Sequence, residues 1–304
     1  MRRLIECVPN FSEGRRSEVI EALVEPFRRT PGCHLLDYRA DPDHNRLVVS
    51  VVGDDEPLKS ALLQAAKVAV ERIDLNAHQG EHPRIGALDV VPFVPIKNAS
   101  MEECVRLAHD FGRTLNEELD IPVYFYEEAA LRPERRRLEV IRRGQFEALK
   151  TEIKNPERHP DVGEPRIHPT AGATVVGARK PLIAFNVNLR TTDVEIAKEI
   201  AKAIRASSGG LSSVKAIGLT LEERGMVQVS VNVVDHEKNP LYRVLEMVRM
   251  EARRWGVEVA ETEIYGLAPL PALVDSLKYY MGMHSLSADQ IIEARLLDLM
   301  GGEG

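Results

Sequence analysis

The chain has 304 residues, of which 44% are hydrophobic, 29% charged and 5% aromatic. That length is generous for one core and comfortable for two, and the composition is that of a globular protein rather than a disordered one. A net charge of −7 argues against a nucleic-acid-binding surface, which needs a basic face, but leaves room for a local basic pocket.

The first half opens on a predicted strand, Leu4 to Val8, and a polar loop, PNFSEG. Ser12 is the expected cap of a helix carrying Val19, Ile20, Leu23 and Phe27 at helical spacing, which stops at Pro31-Gly32. Cys33 to Tyr38 reads as a strand, ADPDHN as a tight loop, and Leu47 to Val52 as the next strand. Pro57 suits the first turn of a helix whose one face holds Leu58, Leu62, Ala65, Ala66, Ala69 and Ile73. After the loop HQGEHPR come a strand (Leu88 to Ile96), a helix (Met101 to Leu119), a strand (Pro122 to Tyr126) and an arginine-rich helix (Pro133 to Leu149).

The second half repeats the order. Leu182 to Leu189 is a predicted strand, and Asp193 to Ala206 a helix capped by Thr192 or Asp193. Val214 to Leu221 and Met226 to Val234 form a hairpin across EERG. Leu241 to Trp255 reads as a helix, Val257 to Ile264 as a strand, and two helices follow. Each half is therefore β-α-β-β-α-β, the ferredoxin-like unit, within an α/β (α+β) class of fold. The boundary is expected in or just after NPERHPDVGEPRIHPTAG, a segment long for a plain linker. The three cysteines, Cys7, Cys33 and Cys104, form no CxxC and read as reduced thiols. With no apolar run long enough for a signal segment or a membrane span, a cytoplasmic location and no membrane partner are expected.

Two strands carry neutral hydrogen-bonding groups on one face. Asn186 and Asn188 alternate with Phe185, Val187 and Leu189, and Gln228, Ser230 and Asn232 alternate with valines. Helices cover the apolar face, so the amide row is expected to line a ligand, with a solvated sheet face as the alternative.

The chemistry concentrates in three loops. HQGEH (His78 to His82) matches the H-x-x-E-H pattern of zinc peptidases, but that pattern needs a helical turn, which Gly80 and Pro83 oppose. A structural loop histidine and an acid–base histidine remain open for His82, which has Glu81 and Arg84 as neighbours. DYRADPDHNR carries Asp37, Asp41, Asp43, His44 and Arg46. It is either a polar hairpin turn or a carboxylate that orients a histidine, with Asn45 and Arg46 fixing an anion. PNFSEG places Asn10, Ser12 and Glu13 at the end of a strand before a helix, a common ligand address. In GATVVGARKP, Gly172 and Gly177 let backbone approach a flat ligand.

The blocks ECVPNFSEG, PGC…LLD, Asn45-Arg46, GEHPRIGALDVVPFVP, PVYFYEEAA, GATVVGARKPLIAFNVNL and Gln228-x-Ser230-x-Asn232 together resemble the glutamate formimidoyltransferase family, which includes the transferase half of formimidoyltransferase-cyclodeaminase. The resemblance implies N-terminal and C-terminal formiminotransferase subdomains over residues 1–178 and 179–304. Each would be a mixed sheet with helices on its outer face and a ligand tunnel between the sheets. It implies transfer of a formimidoyl group from N-formimidoyl-L-glutamate to N5 of tetrahydrofolate as co-substrate, without a metal, by a homodimer. His82 takes the family's catalytic position. Some members carry an acid where Arg39 stands, so its part falls to Asp41 or Asp37. The family's folate stretch falls on Gly163 to Gly172, where Gly163, Pro169 and Gly172 match and Glu164, Arg166 and His168 differ, and continues to Ala173 and Thr174. Asn186, Asn188, Gln228, Ser230 and Asn232 suit the folate ring, and Asn45, Arg46 and Arg84 suit substrate carboxylates. N-formyl-glutamate and formimidoyl-glycine are alternative donors. A zinc hydrolase built on HQGEH and a non-catalytic folate- or amino-acid-binding module are the rival classes.

Overall fold

The structure, a computed structural model, describes residues 3–300; the chain ends of the two predicted subdomains, at 1 and 304, lie outside them. Two compact units meet at Arg179 and Lys180.

In the first unit, β1 (Leu4–Cys7) and β2 (Asn10–Phe11) lead to α1 (Ser17–Arg29), β3 (Cys33–Asp41) and β4 (Arg46–Gly53). Helix α2 (Asp55–Arg72), β5 (Leu88–Lys97), α3 (Met101–Leu119) and β6 (Val123–Glu127) follow, then the short helices α4 (Leu138–Ile141) and α5 (Gln145–Glu152), and β7 (Thr174–Ala178). β3, β4, β1 with β2, and β5 lie side by side, antiparallel at every step, which is the strand order of a ferredoxin-like unit. β7 then pairs parallel to β5, and β6 parallel to β7, so this sheet is mixed.

The helices form where the sequence marks them. Asp54 accepts the Asp55 N–H at the head of α2, and Ser100 and Glu103 form a reciprocal capping box on α3. Leu58, Leu62, Ala65 and Ala69 of α2, with Leu107, Phe111 and Leu115 of α3, bury one stripe against the sheet. All seven phenylalanines of the chain are buried. At about 2–3 kcal/mol for each fully buried ring, these seven contribute strongly to the cores, whereas Trp255, Tyr279 and Tyr280 are exposed.

Three expectations for this unit need correction. Ser12 does not cap α1, because the sheet holds it: its N–H donates to Ala87 O (2.9 Å) and its hydroxyl to Gly86 O (2.7 Å). The helix has no side-chain cap; Glu13 instead fixes the turn before it, its Oε1 accepting the N–H groups of Arg15 and Arg16 (both 2.9 Å). The arginine-rich stretch is not one helix. A 3-10 turn (Pro133–Arg136), α4 and α5 replace it, broken where Gly144 and Gln145 take φ of 76° and 57°. β7 has no counterpart among the strands expected from the sequence. It is buried along its whole length, so it lacks the alternation that marks a half-buried strand. The segment before it belongs to the first core. The buried Asp161 carboxylate pairs with Arg135 (2.6 Å) and accepts the Phe125 N–H (2.8 Å).

The second unit contains β8 (Ile183–Leu189), α6 (Val194–Ile204), β9 (Val214–Leu221), β10 (Met226–Val233), α7 (Leu241–Arg254), β11 (Val259–Tyr265), α8 (Leu270–Met281) and α9 (Ile292–Met300). Asp193 caps α6 by accepting the Glu195 N–H. The strand order β11-β8-β10-β9 is again ferredoxin-like, and every pairing is antiparallel, so this sheet is not mixed. Val227, Val229, Val231 and Val233 bury one face of β10 beneath α6 and α7. The register sets Gln228 opposite Asn188 and Ser230 opposite Asn186 on the other face.

Candidate active site

The loops of the first unit converge at one end of the sheet. The turn between β3 and β4 carries Asp41 to Arg46, and the segment His78 to Arg84 lies against it. Gly80 makes the approach possible: a Cβ there would stand 2.4 Å from the carbonyl oxygen of His44. Asn45, at a left-handed φ of 48°, ties three segments together. Its Oδ1 accepts the Gly14 N–H (2.8 Å) and its Nδ2 donates to Gln79 O (2.9 Å). A pocket opens among these loops, lined by Asn10, Phe11, Ser12, His44, Asn45, Arg46, His78, His82, Arg84 and Asp89.

His78 and His82 do not stand on a helical turn; the segment is irregular. Arg84 Nε donates to His78 Nδ1 (3.2 Å), and His78 Nε2 donates to Asn45 O (3.0 Å). A guanidinium can only donate and a carbonyl only accept, so His78 is fixed as the neutral Nε2–H tautomer. Neither of its ring nitrogens is left to bind a metal in the H-x-x-E-H manner. Among the described residues no group of three His, Cys, Asp or Glu is placed to hold a metal ion.

His82 is mostly buried, and its Nε2 has no hydrogen-bond partner. Burial pushes its imidazolium acidity to about 2, helped by the positive charges of Arg46 and Arg142 and by His44 and His78. The ring is therefore a neutral base with an open edge. The expected carboxylate partner is not on it. Asp41 turns to His44, whose Nδ1 lies 2.7 Å from Asp41 Oδ2, and Asp41 Oδ1 accepts the N–H groups of Asp43 and His44 (both 3.0 Å). These bonds hold Asp41 below the usual carboxylate range in spite of its desolvation. Asp37 is ion-paired to Arg39 at 3.0 Å on β3 and does not line the pocket.

Arg84 lines the pocket but already holds a carboxylate. It grips Glu147 at 2.7 and 2.9 Å, and its exposed partner shields an otherwise buried guanidinium. Arg46 and Asn45 line the pocket, and so do Asn10 and Ser12; Glu13 does not, being engaged with Arg15 and Arg16.

The predicted folate residues fall into two groups. Ala173 and Thr174 are core residues, with Thr174 Oγ1 donating to Leu88 O (2.7 Å). Gly172, at φ 73°, is pressed against Ile85 O, where a Cβ would stand 2.2 Å away. Gly163 is exposed at φ 93°, and exposed Pro169 accepts from Asn76 at its carbonyl (3.0 Å). On the second unit, Gln228 donates to Asn188 (2.9 Å), and Asn188 donates to Glu261 of β11 (2.9 Å). Asn186 Oδ1 is buried without a partner. Ser230 is half-buried and Asn232 exposed.

Three further charged residues meet at the site, of which Asp89 lies in the GEHPRIGALD block while Arg142 and Glu147 carry no signal in the sequence. Asp89 is 2% exposed, takes the N–H groups of Ile85 and Gly86 (2.7 and 3.2 Å), and is ion-paired to Arg142. Glu147 arrives from α5. Arg142 and Glu147 are brought in by the break between α4 and α5.

The family model of the formiminotransferase domain, N-terminal subdomain, matches residues 4–179, and that of the formiminotransferase domain matches residues 184–300. The chain is 49% identical over 298 residues to a protein named glutamate formimidoyltransferase from Streptococcus pyogenes serotype M1, spanning 98% of this chain and 100% of that protein. A protein of the same name from Thermoplasma acidophilum is 47% identical over 295 residues, or 96% of this chain and 97% of its own length. Formimidoyltransferase-cyclodeaminase of Gallus gallus is 48% identical over 292 residues, covering 94% of this chain but 54% of that protein.

Proposed function

The chain belongs to the formiminotransferase domain family, and on that premise we propose that it transfers the formimidoyl group of N-formimidoyl-L-glutamate to N5 of tetrahydrofolate, releasing L-glutamate. The observation that carries the reading is His82, a neutral imidazole whose buried Nε2 has no partner in a pocket also lined by Arg46 and Asn45. It supports a histidine waiting for a proton that a substrate brings.

The donor carbon is an amidine carbon, most electrophilic when the group is a cation. Attack by N5 gives a tetrahedral intermediate, and the N5 proton passes to Nε2 of His82. General-base help of this kind is worth about 10²–10⁴-fold. The charges of Arg46 and Arg142 that keep the ring neutral also favour the anionic glutamate carboxylates, with Arg46 and Asn45 as their ligands. Arg84 keeps a lesser part, since Glu147 occupies its fork. Holding both substrates together supplies further acceleration through proximity. No step uses a metal.

For tetrahydrofolate, the amide face of β8 and β10 remains our candidate. Asn188 and Gln228 form a fixed network, and Asn186 Oδ1 offers an acceptor to a ring N–H. Ser230 and Asn232 extend that row; on the first unit, exposed Gly163 and Pro169 are separate folate candidates from the family's folate stretch. Within the first unit, Ala173, Thr174 and Gly172 shape the backbone around that stretch. Among the described residues no helix is long and apolar enough to cross a membrane. Three buried free thiols suit a cytoplasmic protein, and a homodimer is the assembly to test by light scattering.

The test mixes protein, tetrahydrofolate and, in turn, N-formimidoyl-glutamate, N-formyl-glutamate or formimidoyl-glycine, then follows the methenyl product formed on acid treatment. Product is expected first from formimidoyl-glutamate, and His82→Ala should lose about 10²-fold or more in kcat. No product from any donor refutes the reading.

A further inference from the structure

The proposed transfer needs two proton movements, and the site holds two imidazoles in opposite electrical settings. One proton leaves N5, and one must reach the glutamate nitrogen as its bond to carbon breaks. A single ring could do both in turn only if it readily held the proton between them. His82 is poorly placed for that. Arg46 from β4, Arg142 from the turn after α4, and the rings of His44 and His78 all oppose a positive charge on it, and burial adds to them.

His44 lines the same pocket, its ring centre 6.2 Å from that of His82 and the planes 65° apart. Asp41 accepts from its Nδ1, so the proton on that nitrogen is fixed and the Nε2 edge points away from the carboxylate. An imidazolium formed on His44 has its counter-ion already in contact, and Asp41 is itself fixed by the N–H groups of Asp43 and His44. The ring is also 44% exposed, so it exchanges protons with solvent. The charged neighbours of His44 are thus Asp41 on β3, Asp43 in its own turn, Arg46 at the start of β4, and Glu81, whose N–H bonds Asp43 O (3.4 Å). One imidazole that faces arginines and a second bonded to a carboxylate are what divided acid and base roles require.

We propose that His44, held by Asp41, is the general acid that protonates the departing glutamate nitrogen, while His82 is the base that takes the proton from N5. This rests on the transferase reading above. As the N5–C bond forms, the N5 proton goes to His82. As the C–N bond to glutamate breaks, its electron pair stays on nitrogen, which receives the proton of His44. His82, which disfavours the charge, sheds that proton as the intermediate collapses, and His44 is left neutral. One proton passing from the first ring to the second, directly or through solvent, restores both.

The test measures kcat against pH for the wild-type protein, His44→Ala and His44→Gln, with tetrahydrofolate binding measured alongside. Gln keeps a donor for Asp41 but cannot deliver a proton, and it serves if the alanine variant fails to fold. Both variants are expected to bind tetrahydrofolate as the wild type does, to lose about 10²-fold in kcat at the optimum, and to lose the alkaline limb of the profile. An alkaline limb that persists in a folded variant, or a kcat within about threefold of wild type, overturns the proposal. So does wild-type activity in His44→Gln alone, which makes His44 a spacer. An inactive wild-type protein would instead sink the transferase reading itself.

Discussion

The acidity of His82 makes acid sensitivity the sharpest consequence of the site. Its ring titrates at about 2 in the folded protein because burial and two arginines oppose the charge, whereas in the unfolded chain it titrates at about 6.5. Lowering the pH therefore protonates the unfolded state first and pulls the equilibrium toward it. The stability that His82 provides is fully present above about pH 7.5 and is lost progressively as pH falls through and below 6.5. At about pH 5 the unfolded ring gains a proton roughly 1.5 units below its titration point, which costs the native state about 2 kcal/mol. His82→Gln has no such linkage. Urea denaturation of both proteins at about pH 7.5 and about pH 5 should show the wild type losing about 2 kcal/mol more than the variant. His78, also shifted downward by burial, is common to both and cancels. Histidine proton NMR reads the same property directly: the His82 signal should not move between about pH 8 and pH 5. A His82 resonance titrating near 6.5, or parallel pH dependence in the two proteins, refutes the argument.

Further consequences follow from the contacts around the pocket. Gly80→Ala places a Cβ against the backbone of His44, so the loop must shift; kcat should fall at least about tenfold while the far-ultraviolet circular dichroism is unchanged. Gly86→Ala meets Ala173 O, where a Cβ would stand 2.1 Å away, at a buried bridge to Gly172 just before β5; it should lower stability by about 2 kcal/mol or more in denaturation. Glu147→Ala strips the carboxylate from buried Arg84. Because Glu147 is largely exposed, the loss should be about 1–2 kcal/mol, and Glu147→Gln should recover part of it.

Much of the fold is legible in the sequence because its signals are local. Pro57 and the apolar stripe from Leu58 to Ile73 announce α2, and the strict alternation in VQVSVNVV announces β10 and its two faces. The arginine-rich stretch misled because helix formers surround Gly144, and one glycine inside a helical pattern does not say that the next residue turns left-handed too. At the site, the loops were visible through Gly80, Pro83 and the acidic turn, but their pairings were not. Asp41 and His44 are three residues apart, so their bond is a property of the turn and was open to local reasoning. Arg84 finds Glu147 63 residues away, and Arg142 finds Asp89 53 residues away. Such contacts are decided by the sheet, and no spacing rule in one sequence exposes them.

The parallel strand β7 also dictates a timetable. β6 is joined to the sheet through β7, and β7 is made well after it, with two short helices and a long segment between. On the ribosome, Val123 to Glu127 therefore emerges with α3 to pack on and, later, a single bridge to Val162, but without a neighbouring strand until Thr174 to Ala178 has been synthesised. The second unit has no such wait, because β9 and β10 meet across a tight turn. A nascent chain arrested shortly before Thr174 should consequently be the form most prone to aggregate and most in need of a chaperone, with VYFYE as the segment to protect.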